Sequence, residues 1–309
     1  MKTDLSKFML KLLLFLGVLF LADLTMGKVL NFFYNKQSHG LEYKTKYCVN
    51  SMREEMLVLG SSRAVYHYSP EILEDSLQLT VYNAGRDGNF IFYSYGIFRA
   101  ALERYTPKLI LLEIGPKEFI ESQDSYDRLS VLMPFYNTHP ELKSVLELKS
   151  SNEKIRNISS CYPYNSMINS IISGNISKGK SEKVYQGHTS FSTSITREAR
   201  LVENSRDYKI DSNKIKLFTD IITTCKARGI ELLVACSPVF DTLKGPDLSM
   251  QIAREITGLH GVKLADYSGD TTYTGKKDLF YDFNHLNYKG AARYTSEISK
   301  VIKTVHYRK

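Results

Sequence analysis

Short apolar runs alternate with helical segments through most of the chain. Runs bounded by turn residues predict five buried strands, at residues 56–60, 79–82, 109–114, 230–236 and 262–265. Amphipathic periodicity between these runs predicts helices at 70–76, 89–105, 211–228, 250–257 and 288–304. Strands that are apolar on both faces are typical of a parallel sheet covered by helices on either side. We therefore predict an α/β fold, a three-layer α/β/α sandwich with a mainly parallel sheet.

The N-terminal segment has a different pattern. Between residues 8 and 26 the only charged side chains are Lys11 and Asp23. This length suits one membrane span if Lys11 reaches back to the lipid surface, and the lysines before it place the N-terminus in the cytoplasm. We predict a cytoplasmic tip and an uncleaved signal-anchor helix within residues 1–27, so that the rest of the chain lies outside the cytoplasm. A cleaved signal peptide and a buried soluble helix are the alternatives.

The remaining chain divides by composition. Residues 28–53 are polar and aromatic and predict a stalk, and the α/β domain is expected over residues 54–309. Within it, the pattern loosens at about 119–207, which is rich in Ser, Asn and Tyr. Helical segments are expected near 142–148 and 164–172. We interpret this stretch as an insertion over the core, where substrate contacts commonly occur.

Charge and cysteine content narrow the function classes. The chain has 309 residues and a formal net charge of +8, but its basic residues are scattered. The sequence has no zinc-finger spacing and no basic helix, so nucleic-acid binding is not expected, whereas an anionic membrane or an acidic glycan is compatible. No metal or other cofactor is expected, because no ligand spacing occurs. Cys225 and Cys236 are expected to be buried thiols. Cys48 and Cys161 are expected to lie in loops, where they are able to pair.

Residues able to carry chemistry follow the predicted strands. Ser62 comes directly after the first strand and Gly88 after the second, and the carboxyl ends of parallel strands meet at one edge of a sheet. Asp282 stands three residues before His285, a spacing that lets the carboxylate meet Nδ1 while Nε2 faces a serine. Taken singly, Ser62 also fits a helix N-cap, Gly88 an ordinary turn and the Asp–His pair a surface feature.

Together these blocks resemble the SGNH/GDSL hydrolase family over about residues 56–305. By that resemblance Ser62 is the nucleophile, Gly88 an oxyanion donor, His285 the general base and Asp282 its orienter. The first block reads Gly-Ser61-Ser where the family has Gly-Asp-Ser. In this it is more similar to the membrane-anchored branch that includes the D-alanine-transfer protein of teichoic acids and the alginate O-acetylation proteins. The resemblance implies an SGNH or flavodoxin-like sheet.

The third block departs from the family pattern, because Lys117 stands where the family has an asparagine. Lys117 is expected either to contact the oxyanion as a charged donor or to pair with Glu118 or Glu113.

The resemblance implies an extracytoplasmic serine hydrolase or O-acyltransferase. Its expected substrates are acyl esters, chiefly acetyl esters, of a cell-envelope glycan or a small ester, and its expected partner is a membrane-embedded acyl-donor protein. The alternative is a catalytically inactive binding or assembly protein of the cell envelope on the same scaffold, which the missing asparagine favours.

Overall fold

The computed structural model describes residues 2–176, 186–203, 208–245 and 247–306. The helices are α1 (Lys2–Lys36), α2 (Gly40–Asn50), α3 (Ser62–His67), α4 (Pro70–Leu77), α5 (Ile91–Leu102), α6 (Gln123–Asp127), α7 (Lys143–Leu146), α8 (Glu153–Arg156), α9 (Ile168–Ile176), α10 (Ser212–Arg228), α11 (Leu248–His260) and α12 (Tyr288–His306). The strands are β1 (Met56–Leu59), β2 (Val81–Asn83), β3 (Leu109–Glu113), β4 (Leu201–Glu203), β5 (Glu231–Cys236), β6 (Thr242–Lys244) and β7 (Lys263–Asp266). The chain forms two compact units, residues 1–43 with 130–180 and residues 44–129 with 181–309.

The second unit contains a parallel five-stranded sheet in the order β2-β1-β3-β5-β7. Met56 of β1 is in register with Val81 on one side and with Leu109 on the other. Helices α3, α4 and α12 pack together on one face, while α5 and α10 pack against each other on the opposite face. The prediction of a three-layer α/β/α sandwich with a parallel sheet is confirmed.

The first unit combines α1 with the segment that contains α7, α8 and α9. Tyr34 of α1 packs on Tyr164, with ring centroids 5.7 Å apart. The Asn175 amide of α9 donates to the Phe33 carbonyl over 2.9 Å. Within α1, residues 4–36 are long and apolar enough to cross a membrane, judged by length and composition.

All five predicted strands and all five predicted core helices are present, with ends that differ by a few residues. Residues 28–36 of the expected stalk continue α1, and residues 40–50 form α2. A small two-stranded sheet of β4 and β6 was not predicted. The expected insertion at 119–207 includes residues 177–185 and 204–207, which lie outside the described residues.

The cysteines are free thiols. Cys225 and Cys236 are buried, as the sequence predicts. Cys48 is buried and Cys161 half-buried, and the disulfide considered between them is wrong.

Candidate active site

The first site residue lies where β1 meets α3. After Leu59 the backbone passes through Gly60, whose φ is +148°, and Ser62 is the first residue of α3. A Cβ on Gly60 would approach the Glu113 carbonyl oxygen to 2.9 Å, so this turn requires glycine. The tight turn leaves Ser62 half-buried at the carboxyl edge of the sheet.

His285 lies on the loop before α12, and its ring connects Ser62 with Asp282. The Ser62 Oγ is 2.8 Å from His285 Nε2, although 223 residues separate them in the chain. The Asp282 carboxylate accepts from His285 Nδ1, with Oδ2 at 2.8 Å. This arrangement keeps the proton on Nδ1 and leaves Nε2 free to accept the serine proton.

The Asp282 carboxylate is fixed by its own loop. Its Oδ1 accepts the backbone N–H groups of Asn284 at 2.8 Å and His285 at 2.9 Å. Partial burial raises the pKa of Asp282, but the hydrogen bonds from the His285 ring and the two amides outweigh it, and the net pKa is lowered. The carboxylate is therefore ionised at neutral pH and able to stabilise an imidazolium.

No family model matches the chain, and no curated protein matches it. Among solved structures the chain is similar to a protein from Desulfitobacterium hafniense that is assigned to the G-D-S-L family of lipolytic proteins. The TM-score is 0.38 at 11% sequence identity, and the match covers 80% of this chain and 99% of that chain. A likeness this distant assigns no function.

A buried histidine, which the sequence analysis did not identify, lies directly behind the catalytic candidates. His67 Nε2 accepts the backbone N–H of Leu286 over 2.9 Å, and its Nδ1 is 2.7 Å from the Ser237 Oγ. Since Nε2 is the acceptor, Nδ1 carries the proton and donates it to Ser237. Burial, the Arg63 charge and His285 hold the pKa of His67 well below its usual range, so the ring is neutral.

The network continues from Ser237 to a buried ion pair. Ser237 Oγ donates to Glu113 over 2.7 Å, and its backbone N–H donates to the same carboxylate over 3.1 Å. Arg63, which follows Ser62 in the chain, pairs with Glu113 at 3.1 Å, and both side chains are buried. Tyr68 donates its hydroxyl to the other carboxylate oxygen. The fully satisfied carboxylate connects β3, α3 and the end of β5 beneath Ser62.

Gly88 lies in the turn after β2 with φ +66°. A Cβ at this position would overlap the guanidinium of Arg128. In the part of the chain that the structure describes, the Gly88 N–H makes no hydrogen bond. Its neighbour Asp87 accepts the hydroxyl of Tyr66, whose ring meets His285 edge-on with centroids 5.3 Å apart. The oxyanion role of Gly88 stays a prediction.

Lys117 follows β3 and has a left-handed backbone, with φ +63°. Its backbone N–H donates to the Asp247 carboxylate at 3.1 Å, while its side chain is exposed. Among the described residues, its ammonium forms no ion pair, because Glu113 is paired with Arg63 and Glu118 accepts the Ile91 N–H at 2.9 Å. The expected pairing with either glutamate is therefore wrong, and the oxyanion contact stays a prediction.

Aromatic rings line one side of His285. Phe191 stacks on Tyr281 with centroids 3.8 Å apart and planes within 9°, and it lies 4.2 Å from the ring of Tyr66. Phe191 was not predicted, since it lies in the loosely patterned stretch and pairs with distant residues. Over the described ranges, no group of three or more metal-binding side chains occurs.

Proposed function

We propose that this protein is a membrane-anchored serine hydrolase or O-acyltransferase that acts on acyl esters of a cell-envelope glycan. The observation that carries the proposal is the 2.8 Å separation between Ser62 Oγ and His285 Nε2, with the Asp282 carboxylate on the opposite ring nitrogen. Serine is not nucleophilic at neutral pH without such a base, and the base requires an orienting acid to fix its tautomer.

The proposed reaction has two halves. Ser62 Oγ bonds to the acyl carbon while its proton passes to His285 Nε2, and the same proton then moves to the departing alkoxide as the ester bond breaks. In the second half, an acceptor hydroxyl gives its proton to His285 and takes the acyl group from Ser62, and His285 returns that proton to the Ser62 Oγ as the acyl–serine bond breaks. Water as acceptor makes an esterase, whereas a sugar hydroxyl makes an O-acyltransferase.

The negative oxygen of each tetrahedral intermediate requires donors. We assign this role to the N–H groups of Ser62 and Gly88, because the first amides of a helix have no partner inside it and the Gly88 amide makes no other hydrogen bond in the described chain. Lys117 is the third candidate. Unchanged turnover in Lys117→Ala would remove it from the proposal.

A glycan substrate outside the cytoplasm is supported by two features of the chain. The lysines before the apolar part of α1 favour an N-terminus inside the cell, which supports an α/β unit on the opposite side of the membrane. The net charge of +8 also suits the acidic surface of a cell envelope. A membrane-embedded donor protein is the proposed source of the acyl group in the transferase form of the reaction.

A fluorophosphonate probe tests the nucleophile. We expect covalent labelling of the full-length protein, loss of labelling in Ser62→Ala and in His285→Ala, and retained labelling in Ser61→Ala. Ser61→Ala is the matched control because it removes a neighbouring hydroxyl from the same turn. If wild type and Ser62→Ala both stay unlabelled, the chain is a binding or assembly protein on a hydrolase scaffold.

Substrate assays separate the two outcomes of the acyl-enzyme. Release of p-nitrophenol from p-nitrophenyl acetate reports formation of the acyl-enzyme, whichever acceptor then removes the acetyl group. Addition of an oligosaccharide acceptor then distinguishes transfer, which yields acetylated sugar by mass spectrometry, from hydrolysis, which yields acetate alone. If the probe labels the protein but the protein turns over no acyl ester, the proposed substrate class is contradicted.

A further inference from the structure

The surface of α1 changes character at Asp23. Every side chain from residue 4 to residue 22 is exposed, whereas partly or fully buried positions occur from Asp23 onward, including Tyr34 at 2% exposure. At 1.5 Å per residue, the exposed stretch spans about 28 Å, close to the hydrocarbon thickness of a bilayer. The stretch that suits lipid therefore ends where α1 begins to pack against protein.

The Asp23 carboxylate is held by the segment that follows α8. Ser159 Oγ donates to it over 2.6 Å and the Ser160 N–H over 2.7 Å, and the Cys161 N–H adds a third bond at 3.3 Å. One turn further along α1, a Cβ on Gly27 would overlap Ser160, so glycine permits the close approach. Residues 159–161 are thus fixed to α1 at the end of its lipid-length stretch.

The remaining contacts of the first unit lie further along α1. Tyr164 donates its hydroxyl to Asn31 over 2.9 Å, and Asn175 reaches the carbonyl of Phe33. Asn31 and Phe33 lie about 12 and 15 Å beyond Asp23 along the helix axis. Of these contacts with α1, those of residues 159–161 lie nearest to the lipid-length stretch.

This segment exposes two large aliphatic side chains. Ile155 is 68% exposed and Ile158 is 72% exposed. The turn that carries them is held by the buried carboxylate of Glu153, which accepts the Tyr162 hydroxyl at 2.8 Å and pairs with Arg156 at 3.2 Å. The turn that ends at the Asp23 junction thus exposes two isoleucines.

We propose that the turn formed by residues 153–161 is a second membrane contact, in which Ile155 and Ile158 insert into the bilayer surface beside α1. Residues 159–161 join this turn to α1 at Asp23, where the exposed apolar stretch of α1 ends. Lys154 lies on the same turn, 74% exposed and 3.7 Å from the Glu147 carboxylate, and a cation at this position suits a surface of lipid phosphates. The inference concerns the attachment of the first unit and does not depend on the proposed catalysis.

Tryptophan scanning tests this contact, because the natural chain contains no tryptophan. Full-length Ile158→Trp is reconstituted into vesicles of phosphatidylethanolamine and phosphatidylglycerol that carry brominated acyl chains. We expect a blue-shifted emission, strong quenching by shallow bromine labels and several-fold weaker quenching by aqueous acrylamide than in the control Leu259→Trp. Leu259 is a suitable control because it is 85% exposed and lies on α11 of the second unit.

One further variant makes the result decisive. Leu13→Trp, within the lipid-length stretch, must be quenched by deep bromine labels, and its failure would overturn the span and the second contact together. If Leu13→Trp is quenched but Ile158→Trp behaves like Leu259→Trp in these vesicles, which contain no other protein, α1 spans and the turn does not touch lipid. That result would overturn the proposal.

Discussion

Replacement of His67 by leucine tests how far the loop of His285 depends on the buried network. His67 is fully buried, and its two nitrogens bond to Leu286 N–H at 2.9 Å and to Ser237 Oγ at 2.7 Å. Leucine fills a similar volume but can form neither of these hydrogen bonds. Because Leu286 is bonded covalently to His285, the backbone next to the proposed general base loses a side-chain anchor.

The magnitude follows from the two lost bonds. The buried Leu286 N–H without a partner costs about 1–3 kcal/mol, and loss of the His67–Ser237 bond costs about 1 kcal/mol more. We therefore expect His67→Leu to lower the free energy of unfolding by about 2–4 kcal/mol. A shift of the His285 loop by roughly 1 Å would in addition lower kcat on the order of 100-fold.

Urea unfolding of the full-length protein in detergent, followed by circular dichroism, measures the first effect, and p-nitrophenyl acetate turnover the second. His67→Gln is the matched control, since its amide oxygen can reach the Nε2 position and accept from Leu286. It should recover much of kcat while it still lacks the bond to Ser237. A free energy of unfolding within 0.5 kcal/mol of wild type for His67→Leu, with unchanged kcat, would refute this reasoning.

Three other changes probe the same unit. Asp282→Asn should lower kcat on the order of 10³–10⁴-fold with little change in KM, measured with the same ester, because the wrong His285 tautomer is favoured. Gly88→Ala should lower the free energy of unfolding by about 1–2 kcal/mol, since φ is +66° and the new Cβ meets Arg128; Arg128→Ala in the same chain should restore part of it, and no rescue would count against the overlap. Burial lowers the pKa of His188 to about 4, below the ordinary value of 6.5. The unfolded chain therefore binds this proton first as pH falls, and wild type should lose about 1–2 kcal/mol between pH 7 and pH 5 through His188, a loss that His188→Gln removes in urea titrations at both pH values.

The parts of the fold that were predicted are those with a strong local signal. Strands β1 and β3 each contain at least four consecutive buried apolar residues. Side chains alternate between the two faces of a strand, so such a run requires a sheet that is covered on both faces. The end of α10 was equally readable, because Gly229 adopts the left-handed conformation that stops a helix. By contrast, β4 and β6 have three residues each and are largely exposed, so they have no burial pattern to detect.

The same distinction applies to the site. Asp282 and His285 were readable because three residues form one turn, and their bond follows from local geometry. His67 and Ser237 are 170 residues apart, and neither has a spacing that distinguishes it from other buried polar residues. Only the order of strands in the sheet brings such pairs together, and that order is a property of packing across the whole chain.

Glu113 shows how the network changes the meaning of a local motif. In the sequence it is the polar residue of an otherwise apolar strand and a reasonable partner for Lys117. Its carboxylate instead accepts from Ser237 and Tyr68 and pairs with Arg63, the residue directly after Ser62. Because a buried carboxylate requires such compensation, the charge on Arg63 is needed to hold Glu113 and is not available to a substrate. Lys117 is left exposed after the third strand, so under the proposed function a charged contact to the ester from this strand end would come from Lys117 and not from Arg63.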